Sequence, residues 1–144
     1  MKIISGGQTG ADRGALEAAK ECGVETGGFA PRGYLTETGN DLSLKNFGLV
    51  DSGMWYPERT ELNAKGSDIT IWFGRSTDYA GLHATKRACK THGREFVDVS
   101  TMFATDIREL IKGKNVINVA GNRESKSPGI QEYVKKIMCE VLKP

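Results

Sequence analysis

Glycine fills four of the ten positions in SGGQTGADRG, residues 5–14, directly behind the apolar start MKII. Glycine loses more backbone freedom on ordering than any other residue, so a turn of this composition implies that something approaches the main chain closely. Two other connections have the same form, FGRSTDYAG at 73–81 and AGNRESKSPG at 120–129. Each places small polar residues between an apolar run and a helical pattern. A helix start presents unpaired N–H groups and the positive end of the helix dipole, and together these bind anions, phosphate foremost. The predicted chemistry is recognition of a phosphorylated ligand.

Charged and aromatic side chains cluster in the same segments. Asp12 follows Thr9 by three residues, so the pair reads as a capping box with Thr9 as N-cap. The same carboxylate is suited to accept hydrogen bonds from a sugar or a pterin, or to hold a metal-bound water. Neither the GxxxxGK[ST] nor the GxGxxG spacing is present, which argues against ATP hydrolysis and ordinary dinucleotide binding. Arg123 heads a polar run with Glu124, Ser125 and Lys126, and its guanidinium can hold two phosphate oxygens at once. Arg32, in APRGY, is a second candidate clamp. Arg59, Thr60 and Asn63 share a face of a short helix, although Asn63 and Asp68 also fit loop-tying roles. His83 is a candidate for the pocket wall, and His92, before a helix-ending glycine, for contact with the carbonyl end there. Trp55, Tyr56 and Tyr79 fit stacking on a flat ring as well as core or lid positions. Cys22, Cys89 and Cys139 lie far apart without a CxxC pair, so they read as small core residues with reduced thiols, and no metal site is expected.

The elements that must position these groups follow from apolar periodicity. Strands are expected over residues 2–5, 24–30, 67–73, 95–100 and 116–120, and helices over 9–21, 57–65, 81–91 and 102–112. A last helix carries Ile130, Tyr133, Val134, Ile137, Met138, Val141 and Leu142 at i, i+3, i+4 spacing, with Ser127 as N-cap and Pro128 in first position. Residues 31–56 are rich in turn formers, show no clear period and are assigned no elements. Strict alternation of strand and helix predicts an α/β fold, a doubly wound, mostly parallel sheet with helices on both faces. Its ligand site is then expected at the carboxyl ends of the strands.

The 144 residues suit one domain, residues 1–144. A net charge of +2 without a basic block disfavours nucleic acid as partner. No apolar run suits a membrane span or a secretion signal, so a cytoplasmic protein is expected.

SGGQTGAD, APRGYLTETG, ERTELNAKGSDITIWF and NVAGNRESKSPGI, in this order, resemble the circularly permuted YpsA-like branch of the SLOG superfamily. Members are often labelled molybdenum cofactor carrier proteins. The resemblance covers essentially the whole chain and implies a Rossmann-like fold, a homo-oligomer (dimer or tetramer), and a pocket for nucleotide-like or pterin-phosphate ligands, molybdopterin included. By position, that pocket includes Gly6, Gly7, Gln8, Thr9, Gly10, Asp12, Arg32, Gly81, Gly121, Arg123, Glu124 and Ser125. Related SLOG enzymes cleave the base from nucleoside monophosphates with a PGGxGTxxE loop and its catalytic glutamate. Here Ala80-Gly81-Leu82 stands where Gly-Gly-Thr is usual, the following helix starts without an acid, and Asn122 stands where proline is common. The first reading is therefore a binding protein for a phosphorylated ring-containing metabolite, a molybdenum cofactor or a nucleotide. The second is a nucleotide N-glycosidase, with Asp12 or Glu124 as catalytic carboxylate.

Overall fold

A computed structural model describes residues 1–144. β1 (Lys2–Ile4), β2 (Glu25–Ala30), β5 (Leu49–Asp51), β6 (Ile69–Phe73), β7 (Glu95–Asp98) and β8 (Val116–Gly121) form a six-stranded sheet of order β5-β2-β1-β8-β6-β7. Every pairing in it is parallel, with Ile3 opposite Thr26 and Ile117, and Ile71 opposite Val119 and Val97. The crossovers run through α1 (Ala11–Glu21), α2 (Tyr56–Lys65), α3 (Ala80–Thr91) and α4 (Ala104–Ile111), and α5 (Ile130–Leu142) follows the last strand. The fold is Rossmann-like: α1, α4 and α5 pack together on one face of the sheet, α2 and α3 on the other.

Those two faces differ in chemistry. Strand side chains alternate between faces, so Ile69, Ile71, Phe73, Ile117 and Val119 join α1, α4 and α5 in the main apolar core. The intervening Thr70, Trp72, Asn118 and Ala120 face α2 and α3. That second layer is polar at its centre: the buried Asn118 donates Nδ2–H to Thr70 Oγ1 at 3.1 Å. The apolar layer closes tightly, because a Cβ on Gly14 would lie 2.4 Å from the Gln131 carbonyl oxygen across the α1–α5 seam. The polar layer leaves room.

Residues 31–56, expected to lack elements, contain several short ones. A 3-10 turn at Arg32–Tyr34 leads into a hairpin of β3 (Leu35–Thr36) and β4 (Gly39–Asn40). A second 3-10 segment, Leu42–Phe47, is capped by Asp41, whose side chain accepts from Ser43 N–H, and β5 completes the edge of the sheet. Leu44, Phe47 and Leu49 bury against Leu16 and Ala30. Strands of two or three residues are too short to display a period, which explains the difference.

Two expected helix caps are also corrected. Thr9 does not cap α1, which starts at Ala11 behind Gly10 at φ 82°, and no side chain caps it. Left-handed backbone at Gly10 directs the chain away before the Thr9 hydroxyl can reach the helix. Likewise α5 starts at Ile130 behind Gly129 at φ 90°, not at Ser127 and Pro128. Ser127 Oγ donates instead to Asn122 Oδ1 at 3.1 Å. The three cysteines are free, with Cys89 buried and Cys22 and Cys139 half-buried against the main core. No helix is long and apolar enough to cross a membrane.

Candidate functional site

Between α2, α3 and the polar face of the sheet lies a cleft of about 350 Å³ that opens at the carboxyl ends of the strands. The loops after β1, β6 and β8 all contribute to its rim, as the parallel sheet requires. Among the residues expected to bind ligand, Gly6, Gln8, Asp12, Gly81, Gly121 and Arg123 line it.

At its base, Asp12 meets Arg59. Arg59 Nη1 stands 3.3 Å from Asp12 Oδ2, and both side chains are largely withdrawn from water, at 12% and 7% exposure. Asp12 Oδ2 also accepts from Gln8 N–H at 3.1 Å, the bond that replaces the expected capping box. Burial pushes the Asp12 carboxyl up to about 6, against the opposing pull of the Arg59 charge and of the Gln8 and Gly6 N–H groups. Arg59 Nε is buried without any hydrogen-bond partner. Its guanidinium occupies the space beside Gly6, where a Cβ would lie 1.6 Å from Nη1, so the glycine makes room for this arginine.

Further up, the walls combine flat rings and polar groups. Tyr56, with Arg59 5.5 Å above its ring, lines the cleft, and the buried Trp72 forms part of its wall. Asn63, on the same face of α2, lines the cleft while tying α2 to β2: its Oδ1 accepts from Phe29 N–H and its Nδ2 donates to the Phe29 carbonyl. The loop-tying role of Asp68 holds as well, since its carboxylate accepts from the N–H groups of Asn115 and Val116. Thr60, Thr85 and Asn118 add hydroxyl and amide groups inside.

The loops after β1, β6 and β8 meet along this rim, but many of their amides are not bare. Gln8 N–H goes to Asp12, Thr9 N–H to Gln8 Oε1 at 3.0 Å, and Ala11 N–H to the Asn122 carbonyl at 3.1 Å. In the second loop, Asn122 Oδ1 accepts from the N–H groups of both Arg75 and Ser76. In the third, Glu124 takes the N–H groups of Gly129 and Gln131 at 2.7 and 3.0 Å. The chain thus satisfies these donors with its own oxygens, and Glu124 is committed to capping α5. Gly10 serves a chain crossing: its Cβ would lie 2.4 Å from the Asn122 carbonyl oxygen. Gly7 packs under Leu44 and Leu49.

Other expected residues lie apart from the cleft. Arg32 donates to the Gly53 carbonyl at 3.2 Å and stacks over the exposed Trp55. Thr9 and Ser125 do not line the cleft but meet beside it, on Glu37, together with Arg123. His83 lies outside the cleft, in a shallow depression it shares with Lys86, Arg87 and Lys90. His92 binds Glu61 through its ring, at 2.6 Å, rather than through a carbonyl end. Tyr79 is exposed. Sequence reasoning missed Glu37, Thr85, Asn118 and the structural role of Asn122. A polar residue inside the apolar run VINVA was the one available sign for Asn118. No three or more histidine, cysteine or acidic side chains come together as a metal cluster.

No curated protein matches the chain. A crystal structure at 1.45 Å described as "Putative molybdenum carrier protein", from Syntrophus aciditrophicus SB, is 31% identical. The likeness covers 98% of this chain and 91% of that one, with a TM-score of 0.80. The model of the circularly permutated YpsA SLOG family matches residues 3–142, and the chain belongs to that family.

Proposed function

We propose that the protein carries a phosphorylated, ring-containing metabolite in the cleft between α2 and α3, with a molybdenum cofactor as leading cargo and a nucleotide as the other candidate. The Asp12–Arg59 pair carries this reading, because Arg59 lines the cleft and, of the chain's own acceptors, its guanidinium bonds only Asp12. A polar ring edge lying against the guanidinium supplies acceptors for its remaining N–H groups. Tyr56 lines the same cleft and suits stacking on that ring, and Arg123 and Lys126 at the rim offer positive charge to its phosphate. The likeness to a protein named as a molybdenum carrier supports the choice of cargo.

One observation favours a second reading, N-glycosidic hydrolysis of nucleoside monophosphates. A carboxyl near 6 inside a cleft exists in both protonation states close to neutral pH and suits acid or base chemistry. Glu124, tied up at the start of α5, does not share that suitability.

Calorimetric titration with molybdopterin and with a panel of nucleoside monophosphates tests both. The carrier reading predicts saturable binding without release of free base. It also predicts that Arg59→Ala weakens binding by about tenfold or more, the scale of one lost charged hydrogen bond. Gly81→Leu should abolish binding by filling the cleft, since a Cβ there already lies 3.2 Å from the Trp72 ring. Free base appearing at catalytic rates shifts the assignment to the hydrolase. Unchanged affinity in both variants removes the cleft from the account.

A further inference from the structure

Glu37 sits at the tip of the β3–β4 hairpin, and its carboxylate is gripped from two directions. Thr9 Oγ1 and Ser125 Oγ each donate to it, Ser125 N–H donates to Oε2 at 3.1 Å, and Arg123 Nε stands 3.6 Å from Oε1. Glu124 N–H in turn donates to Thr9 Oγ1 at 3.2 Å, which orients that hydroxyl toward Glu37. Hydroxyls, a main-chain N–H and a guanidinium are the donor types that hold the oxygens of a phosphate. Burial works to raise the Glu37 carboxyl, yet the bonds from Ser125 and Thr9, with the Arg123 charge, hold it below the usual range. The cradle therefore already holds an anion.

The hairpin that delivers this anion is lightly attached. Its strands are only two residues each, and beside the carboxylate its tip is held by the Glu37 N–H, which donates to Gln8 Oε1 at 2.9 Å. Gln8 and Arg123 both reach the cleft as well, so cradle and cleft adjoin.

We infer that this cradle is a phosphate-monoester site that the chain keeps occupied with Glu37, and that a phosphate enters by exchange for that carboxylate, releasing the 35–40 hairpin. A phosphate dianion brings more charge and a third oxygen to the same donors. Glu37 competes as a tethered group, at an effective concentration on the order of millimolar. The apparent affinity for phosphate is reduced by the fraction of time the cradle stands open. The inference deepens the carrier reading, with which it shares Arg123, and inorganic phosphate alone tests it apart from any cargo.

Inorganic phosphate is titrated into wild type, Glu37→Ala and Glu37→Gln by calorimetry in a phosphate-free buffer, with circular dichroism confirming the fold. Glu37→Ala is expected to bind phosphate at least about tenfold tighter than wild type, because the tethered competitor is gone. Glu37→Gln keeps the side chain's length and acceptor and should show a smaller gain, which preserves the test if the alanine variant does not fold. Adding Arg123→Ala to either variant should erase the gain. In wild type, saturating phosphate should speed hydrogen exchange of the 35–40 amides. Competition by AMP but not by adenosine identifies the phosphate of a larger ligand as occupant, and phosphate binding that AMP leaves untouched identifies the free ion. A folded Glu37 variant with no tighter phosphate binding, or hairpin exchange indifferent to saturating phosphate, overturns the inference. Failure of molybdopterin to bind would leave these results standing.

Discussion

Asp12 and Arg59 face each other at 3.3 Å in a site where water is scarce. Ion pairs of this kind return little net stability, because the desolvation of both charges offsets their attraction. Placing a charge where it is only just tolerated suits binding better than folding. Burial has already moved the carboxyl to about 6, so the folded chain holds the Asp12 proton more tightly than the unfolded chain does. The corresponding stability is complete below the unfolded value, near pH 4, and is lost as pH rises through 6. A shift of that size corresponds to about 3 kcal/mol. Carbon-13 NMR of the carboxyl should show a midpoint near 6. In Arg59→Met the midpoint should rise further, because the Arg59 charge is what opposes burial. A midpoint near 4 in wild type would mean that the pair is open to solvent.

Many of the rim loops' amides are bound by the chain's own groups, and much of that local chemistry could not be read in advance. The capping box between Thr9 and Asp12 is present as residue types, but Gly10 at φ 82° separates the two and sends their side chains to different partners. Asp12 turns toward Arg59, and Thr9 toward Glu37. By contrast α1, α3, α5 and β6 were legible, since their apolar residues repeat over several turns or run without interruption. β5 and the 35–40 hairpin were not, because three-residue and two-residue strands carry no period and are fixed by tertiary contacts alone. The glycines were legible as places of close approach, but what approaches them is mostly the chain itself. Gly14 shows this at the α1–α5 seam. Gly14→Ala should destabilise the fold by about 3 kcal/mol, the upper range of overpacking, because the new methyl meets the rigid backbone at Gln131. Chemical denaturation measures it, and a change within about 0.5 kcal/mol, as at an ordinary surface site, would show that the seam can part.

Over the whole molecule, the sheet divides the labour. One face carries Ile, Val and Phe under α1, α4 and α5 and holds the fold together. The other carries Thr70, Trp72 and Asn118 under α2 and α3 and leaves a cleft at the carboxyl edge. A cleft on that edge is what the alternation of strands and helices led one to expect. Its choice of face was not legible there, since it depends on which strand residues pair with Asn118 across β6 and β8. Chemical-shift mapping with nitrogen-15-labelled protein and saturating molybdopterin tests this assignment directly. Perturbations are expected to group at residues 6–12, 56–63, 80–85 and 118–126, with the α1–α5 seam unmoved. Shifts centred on that seam, or none at saturation, would contradict it.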